Sequence, residues 1–485
     1  MAKNYKLVLV LAAAFVTLAC AADEGTSKSG NPANSGAGSD SDMAGAGTAV
    51  TASGAGGSKT TGGASSKPNT GAPGKAGQGG GAGAGVVDPS GPCTPDSSAP
   101  VPTRVLPGIW QKVELPDTFC GNGSPYKFFV NYSDSSNNLA ISFEPGGACW
   151  DYASCAGDGG LRGAANPDGI PDNHMSSLKW EFLPLHRRDP VNPISTWNMI
   201  FVPYCTGDLH TGNNVITYPN PDPAGQPLTF RHDGHKNVMR IIEWANKTFQ
   251  TIPQLLVNGC SAGGTSSVVN YHFIRKGLSG VQCSYMLDDS GPLFPKGGNS
   301  GPLHKKVRES WNLDPVIDEA IANDFPGVSP EAVKADLSLI NTALADKYTR
   351  DRLAIALYRL DYNYSLYSYE RFYDMHTQAD IHRMWWEDIQ LLMAEFDTRP
   401  NLGYFIPYYR NDNCSHCMTI PPIDSGVLAE LATPYQGSEI QEANLSIRDY
   451  VVHLLDDAHP LKSYVESVQP GEALSPERAA ECSAL

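Results

Sequence analysis

Apolar, β-branched and aromatic positions gather in short runs along the chain, at Tyr126–Val130, Leu139–Phe143, Met199–Val202, Leu255–Val257, Tyr285–Leu287 and Leu353–Leu360. Each run has strand length and is bounded by loop residues. Between the third and fourth, Val238, Ile241, Ile242, Ala245 and Phe249 recur at helical spacing, which predicts an amphipathic crossover helix. Helices are also expected over Thr265–Ile274, Ser329–Ala345 and Ser446–Asp456. Strands alternating with helices predict an α/β fold with a mainly parallel central sheet, flanked by helices and carrying long loop insertions.

The fourth run leads into Asn258-Gly259-Cys260-Ser261-Ala262-Gly263-Gly264 and then the Thr265–Ile274 helix. Strand, Gly-x-Ser-x-Gly and helix in that order form the nucleophile-elbow pattern, in which a strained turn lifts a serine hydroxyl clear of an α/β-hydrolase-like sheet. Gly-x-Ser-x-Gly also arises by chance in a chain with 48 glycines, but here the flanking strand and helix stand on the correct sides. Ser261 is therefore the candidate nucleophile.

In open α/β sheets, sites lie beyond the carboxyl ends of the strands. After Leu139–Phe143 comes Glu144-Pro145-Gly146-Gly147-Ala148-Cys149-Trp150, placed where hydrolases of this fold keep the donors for a tetrahedral oxyanion. Gly147 and Ala148, with Ala262, are the expected donors. A triad in this fold runs Ser, acid, His along the chain, so Asp361 is favoured over its rivals Asp288 and Asp289. Among the later histidines, His376 and His382 sit in a predicted helix and His453 in another, which leaves His416 as the candidate base. Cys414 and Cys417 bracket that histidine in a way that would also suit zinc, but no second pair completes four ligands, so no metal or other cofactor is expected. The loop Val202–His210 is expected to line the pocket, with Trp150, Tyr204 and Asp289 as candidate substrate-binding residues. Aromatic pairs at Trp385-Trp386, Tyr404-Phe405 and Tyr408-Tyr409 suit either a sugar-stacking platform or the core.

Composition adds a compartment. Residues 1–20 combine Lys3 and Lys6 with an apolar run from Leu7 to Ala19, an export signal ending in Thr17-Leu18-Ala19-Cys20. That ending resembles a bacterial lipobox and makes Cys20 a candidate lipidation site, the one expected link to a membrane. Residues 21–90, poor in large apolar side chains, are expected to be a disordered linker. Residues 91–485 are expected to form the catalytic domain. Of 11 cysteines, the ten beyond Cys20 allow up to five disulfides; Cys149 and Cys155 are spaced for a small loop, Cys93 and Cys482 would tie the domain's two ends, and Cys260 would be a buried thiol. A net charge of −16 without basic blocks excludes nucleic acid as a natural partner.

Several segments together resemble the pectin acetylesterase family, which includes the animal carboxylesterase Notum. They are Gly146–Cys149, Asn198–Gly207, Gly259–Gly264, Asp288 or Asp289 through Gly291, and Cys414–Cys417, in the same order across about residues 105–425. Ala148 departs from the family's tryptophan, which widens the space beside the oxyanion donors. The resemblance implies a serine esterase with Ser261, Asp361 and His416 as its triad, acting outside the cytosol and removing O-acetyl groups from a polysaccharide. Within the same chemistry the alternative is a lipid or fatty-acyl carboxylesterase. From another class, the alternative is a non-catalytic surface protein that binds glycans on the same fold.

Overall fold

The computed structural model describes residues 91–157, 163–176, 183–375, 377–410, 412–420 and 439–467. The export segment, Cys20, the 21–90 linker, His376 and Cys482 lie outside the described residues. Among the described residues no helix is long and apolar enough to cross a membrane.

Among the described residues nine strands make one sheet: β1 (Trp110–Phe119), β2 (Pro125–Asn131), β3 (Leu139–Phe143), β4 (Asn198–Val202), β7 (Ile252–Cys260), β8 (Val281–Asp289), β9 (Arg352–Ala356), β10 (Leu402–Ile406) and β11 (Tyr464–Val465). Their order is β1-β2-β4-β3-β7-β8-β9-β10-β11. β2 runs antiparallel to β1 and β4, and every pairing from β4 through β11 is parallel. This is the mainly parallel α/β sheet that the alternating pattern predicts. A separate hairpin pairs β5 (Asn214–Tyr218) with β6 (Leu228–His232).

Burial explains the strand pattern. β3, β4 and β9 are buried at every position, as continuous apolar runs covered on both faces should be, whereas edge strand β1 is mostly half-buried or exposed. The crossover helix Gly234–Thr248 buries Val238, Ile241, Ile242 and Ala245, the stripe read from the sequence. The helix after the elbow runs from Ala262 to Gly277 and is buried along most of its length.

Several expectations need correction. The predicted helix Ser329–Ala345 is two helices, Pro330–Ala335 and Leu339–Lys347. Asp336 breaks it, since its carboxylate accepts the Ser338 N–H at 3.1 Å and hydroxyl at 2.8 Å, a local turn that competes with helical bonding. The strand expected over Leu353–Leu360 ends at Ala356, although N–H groups of Leu357, Arg359 and Leu360 still donate to Phe405, Pro407 and Tyr408. Tyr404-Phe405, read only as an aromatic pair, lies inside strand β10.

Four disulfides join described cysteines: Cys93–Cys283, Cys120–Cys205, Cys149–Cys155 and Cys260–Cys417. The small Cys149–Cys155 loop is as expected. Cys93 does not pair with Cys482, because the chain around it runs beside the start of β8, where Asp96 N–H donates to Gln282. Cys260 is no free thiol either, since Cys417 reaches it from the loop after β10. Cys414 is also disulfide-bonded.

Because β4, β3, β7, β8, β9 and β10 are parallel neighbours, the loops after all six leave the sheet at one rim. Those loops, with Asp289 at the end of β8 and Ala262 at the start of the helix after β7, carry the candidate triad, oxyanion and substrate-binding residues.

Candidate active site

Ser261 sits between β7 and the Ala262–Gly277 helix with φ 55° and ψ −122°, outside the regions that ordinary side chains favour. Its N–H donates to the Asp289 carbonyl at 2.7 Å, and its own carbonyl accepts from Thr265 at 3.1 Å. The glycines are packing requirements as much as turn residues. A Cβ on Gly263 would lie 2.2 Å from the Phe143 carbonyl oxygen. The helix start can press against the end of β3 only because that side chain is missing.

His416 is 4 % exposed, and its Nδ1 lies 2.8 Å from Oδ2 of fully buried Asp361. The other carboxylate oxygen of Asp361 accepts the N–H groups of Asn363 at 2.8 Å and Tyr364 at 2.7 Å. Those bonds fix the carboxylate's orientation and leave one oxygen for the imidazole. A ring nitrogen of His416 lies within 4.8 Å of the Cys260 sulfur, next in the chain to Ser261. Cys260 and Cys417, whose sulfurs both lie within 4.8 Å of that nitrogen, are bonded to each other and so are not thiolates for a metal. Tyr364 stands over the imidazole with ring centroids 6.3 Å apart, and its hydroxyl meets Thr265 Oγ1 at 3.0 Å.

The loop after β3 begins beside the helix start, where a Cβ on Gly263 would lie 3.1 Å from the Glu144 carbonyl oxygen. Gly146 and Gly147 have φ of 142° and 56°, and the loop is pinned at both ends by bonds from Glu144 N–H to Val202 and from Cys149 N–H to Gly207. Among the described residues, the N–H groups of Gly147, Ala148 and Ala262 have no acceptor. Ala148 is buried at 1 % exposure.

Residues 105–417 match the profile of the family described as Pectinacetylesterase. The chain belongs to that family. It is 26 % identical over 174 residues to pectin acetylesterase 7 of Arabidopsis thaliana, covering 35 % of this chain and 41 % of the relative. With pectin acetylesterase 4 of the same plant it is 24 % identical over 242 residues, covering 46 % and 56 %. The chain thus spans about half the length of the curated relatives it matches. A solved structure of the Wnt deacylase Notum from Drosophila matches with a TM-score of 0.44 and 19 % identity, covering 61 % of this chain and 83 % of that one.

Within this pectinacetylesterase fold the other candidate residues take distinct places. Trp150 is nearly buried, its ring 5.6 Å from Tyr367 and 6.1 Å from Phe372, with the Arg371 guanidinium 5.1 Å above it. Tyr204 is fully buried, its ring 4.6 Å from His210 and its hydroxyl accepting the Leu209 N–H at 2.8 Å. Asp289 is also fully buried, and its carboxylate binds the chain just after His416. Asp288 accepts from Gly291 N–H at 2.9 Å, and burial pushes its carboxyl well above the usual range. Trp385 and Phe405 are core residues, and Arg359 lies 3.9 Å from the Trp386 ring centre and 4.4 Å from that of Tyr408.

Sequence reasoning passed over Glu144. This buried side chain accepts the Tyr204 N–H at 2.7 Å, contacts His174 Nε2 at 3.1 Å and receives the Asn166 amide at 3.3 Å, so it joins the loop after β3 to two other segments. A charged residue between a buried strand and Pro-Gly-Gly is a signal for such a role. Asp208 works similarly in the next loop, accepting from Thr206 Oγ1 and from Gly212 and Gly234 N–H. Burial pushes its carboxyl up to about 7.

Proposed function

We propose that the chain is a serine carboxylic-ester hydrolase that removes O-acetyl groups from a polysaccharide. The observation that carries this is the buried 2.8 Å contact between Asp361 and His416, in a loop disulfide-bonded to the residue before Ser261. Membership of the pectinacetylesterase family supports ester chemistry, and the curated relatives' names support the acetyl group and the polymer.

Asp361 holds Nδ1 of His416 as the N–H tautomer and stabilises the imidazolium that forms. Nε2 takes the proton of Ser261 Oγ as the oxygen attacks the ester carbonyl, and the tetrahedral oxyanion meets the N–H groups of Gly147, Ala148 and Ala262. Collapse expels the sugar hydroxyl, which receives the proton from His416 and leaves an acetyl-serine. Water, deprotonated by the same imidazole, attacks that ester; acetate departs and Ser261 regains its proton. Every step balances without a cofactor.

The disulfides and the export-like N-terminus support action outside the cytosol, with Cys20 as the lipid-anchored residue. A net charge of −16 favours a neutral acetylated glycan over a polyanion. The test is acetate release from acetylated xylan and pectin by purified protein, together with fluorophosphonate labelling of Ser261. Acetate release and labelling that both vanish in Ser261→Ala are expected. Preference for acyl chains of eight carbons or more would favour a fatty-acyl esterase, and absence of labelling a glycan-binding protein.

A further inference from the structure

We propose that Asp289, together with Ser290, is the positioning residue for His416, clamping the chain that follows the base to the backbone of the nucleophile elbow. The inference rests on the triad reading above and adds to it a part outside the triad.

The turn that presents His416 is strained. Cys414, Ser415 and Cys417 have φ of 52°, 51° and 62°, left-handed conformations unusual for side-chain-bearing residues. Each costs on the order of 1–3 kcal/mol and persists only where the surroundings hold it. The imidazole therefore cannot rely on its own turn for its position.

Asp289 and Ser290 supply that hold. Three successive N–H groups after His416 are bound by this pair: Cys417 N–H to Ser290 Oγ at 3.1 Å, Met418 N–H to Asp289 Oδ1 at 3.0 Å, and Thr419 N–H to Asp289 Oδ2 at 2.7 Å. Thr419 Oγ1 donates to the same Oδ2 at 2.7 Å, and Ser290 Oγ to Oδ1 at 3.1 Å. The pair also reaches the other two triad segments. The Asp289 carbonyl accepts the Ser261 N–H, and Ser290 N–H donates at 2.7 Å to Ala356, the last residue of the strand that leads to Asp361. Both residues are fully buried.

The chemistry of the clamp requires a carboxylate. Four groups donate to the two oxygens, and on each oxygen one of them is a backbone N–H, which can only donate, so a carboxylate, accepting on both sides, matches the clamp. An asparagine would turn its NH₂ toward one of those backbone N–H groups and lose that hydrogen bond to the chain after His416. Burial raises the Asp289 carboxyl above its ordinary value, and the Thr419 and Met418 donors and the nearby His416 offset part of that rise. The hydrogen bonds of Asp289 hold the backbone of Met418 and Thr419, and Ser290 holds that of Cys417, so the pair acts on the position of the imidazole through the chain that follows it.

The experiment is steady-state hydrolysis of p-nitrophenyl acetate by the full chain and its variants, with circular dichroism as a check on folding. Asp289→Asn is expected to lower kcat about 100-fold, the scale of a 1 Å misplacement, with KM little changed. In a His416→Ala background the same change should add no further loss, because there is no imidazole left to place. Thr419→Val, which removes a single donor, should lower kcat less, and Thr419→Ser should restore it; this pair carries the test if Asp289→Asn does not fold. Near wild-type kcat in Asp289→Asn, a full additional loss in the His416→Ala background, or equal kcat in Thr419→Val and Thr419→Ser would overturn the clamp. Near wild-type kcat in His416→Ala itself would instead remove the triad reading, and the clamp with it.

Discussion

Cys260 and Cys417 share a disulfide, so the residue before Ser261 and the residue after His416 form one covalent unit. Their Cα atoms are 5.5 Å apart although 157 positions separate them in the chain. The bridge ties the loop after β10 to the end of β7. Replacing both cysteines by alanine should lower unfolding free energy by about 2–5 kcal/mol, the range for closure of a long loop. Activity should fall further than global unfolding explains, because the released end carries His416, the proposed base. Urea denaturation and p-nitrophenyl acetate turnover on the double variant measure the two effects separately. A variant as active as the parent would show that hydrogen bonding alone holds the loop.

Asp361 gives one oxygen to His416 and the other to two backbone N–H groups, a division that asparagine can imitate only by rotating its amide. With the oxygen toward Asn363 and Tyr364, its NH₂ would face Nδ1 and force the wrong tautomer, with the proton on the nitrogen that must accept from serine. Asp361→Asn should therefore reduce kcat by about 10⁴-fold with KM little altered. Initial-rate kinetics across a range of ester concentrations would read this, and a change confined to KM would count against the assignment.

The elbow was legible because its signal is local: strand, glycine-flanked serine and helix follow one another within a few residues, and Gly263 meets Phe143 wherever the helix packs on the sheet. The parallel sheet was legible for a similar reason, since β3, β4 and β9 are short runs buried on both faces. Partners distant in the chain left no such trace. Nothing around Cys260 names Cys417, and nothing around Cys93 names Cys283, because a disulfide's partner is set by tertiary approach. Asp289 read as a rival acid or a substrate contact because its type and its strand-end position suit both, whereas its four donors come from a neighbouring residue and from Met418 and Thr419 across the fold. The helix break at Asp336 was a matter of side chain against backbone, which apolar periodicity does not register.

Gly263→Ala tests the packing beneath the nucleophile. The added Cβ would fall 2.2 Å from Phe143 O and 3.1 Å from Glu144 O, both backbone atoms that cannot rotate away. The helix start must move outward, carrying Ala262 N–H away from the loop that holds Gly147 and Ala148. Overpacking of this kind typically costs about 1–3 kcal/mol of stability. Thermal unfolding should register that loss, and fluorophosphonate labelling of Ser261 should slow by a larger factor than p-nitrophenyl acetate KM changes. Unchanged labelling would mean that the helix start is not part of the oxyanion geometry.

His232 sets one term of the protein's response to acid. Its Nδ1 lies 2.9 Å from the Thr206 carbonyl oxygen and its Nε2 2.9 Å from the Tyr218 hydroxyl. A carbonyl can only accept, so Nδ1 carries the proton and Nε2 accepts from the tyrosine; protonating Nε2 removes that acceptor and forces the hydroxyl to turn round. Burial, opposed by the Thr206 bond, lowers the imidazole to about 4, against 6.5 when unperturbed. Between those values the unfolded chain binds a proton that the folded chain refuses, so this residue's contribution is neutral above pH 6.5 and destabilises increasingly as pH falls toward 4. The slope from one such group reaches about 1.4 kcal/mol per pH unit. His232→Gln replaces the imidazole with a non-titrating amide. Urea unfolding at pH 7, 5.5 and 4.5 should show a smaller loss of stability on acidification for the variant than for the parent, by up to that slope, even if the variant is less stable at pH 7. Parallel curves would mean that His232 is protonated alike in the folded and unfolded chains.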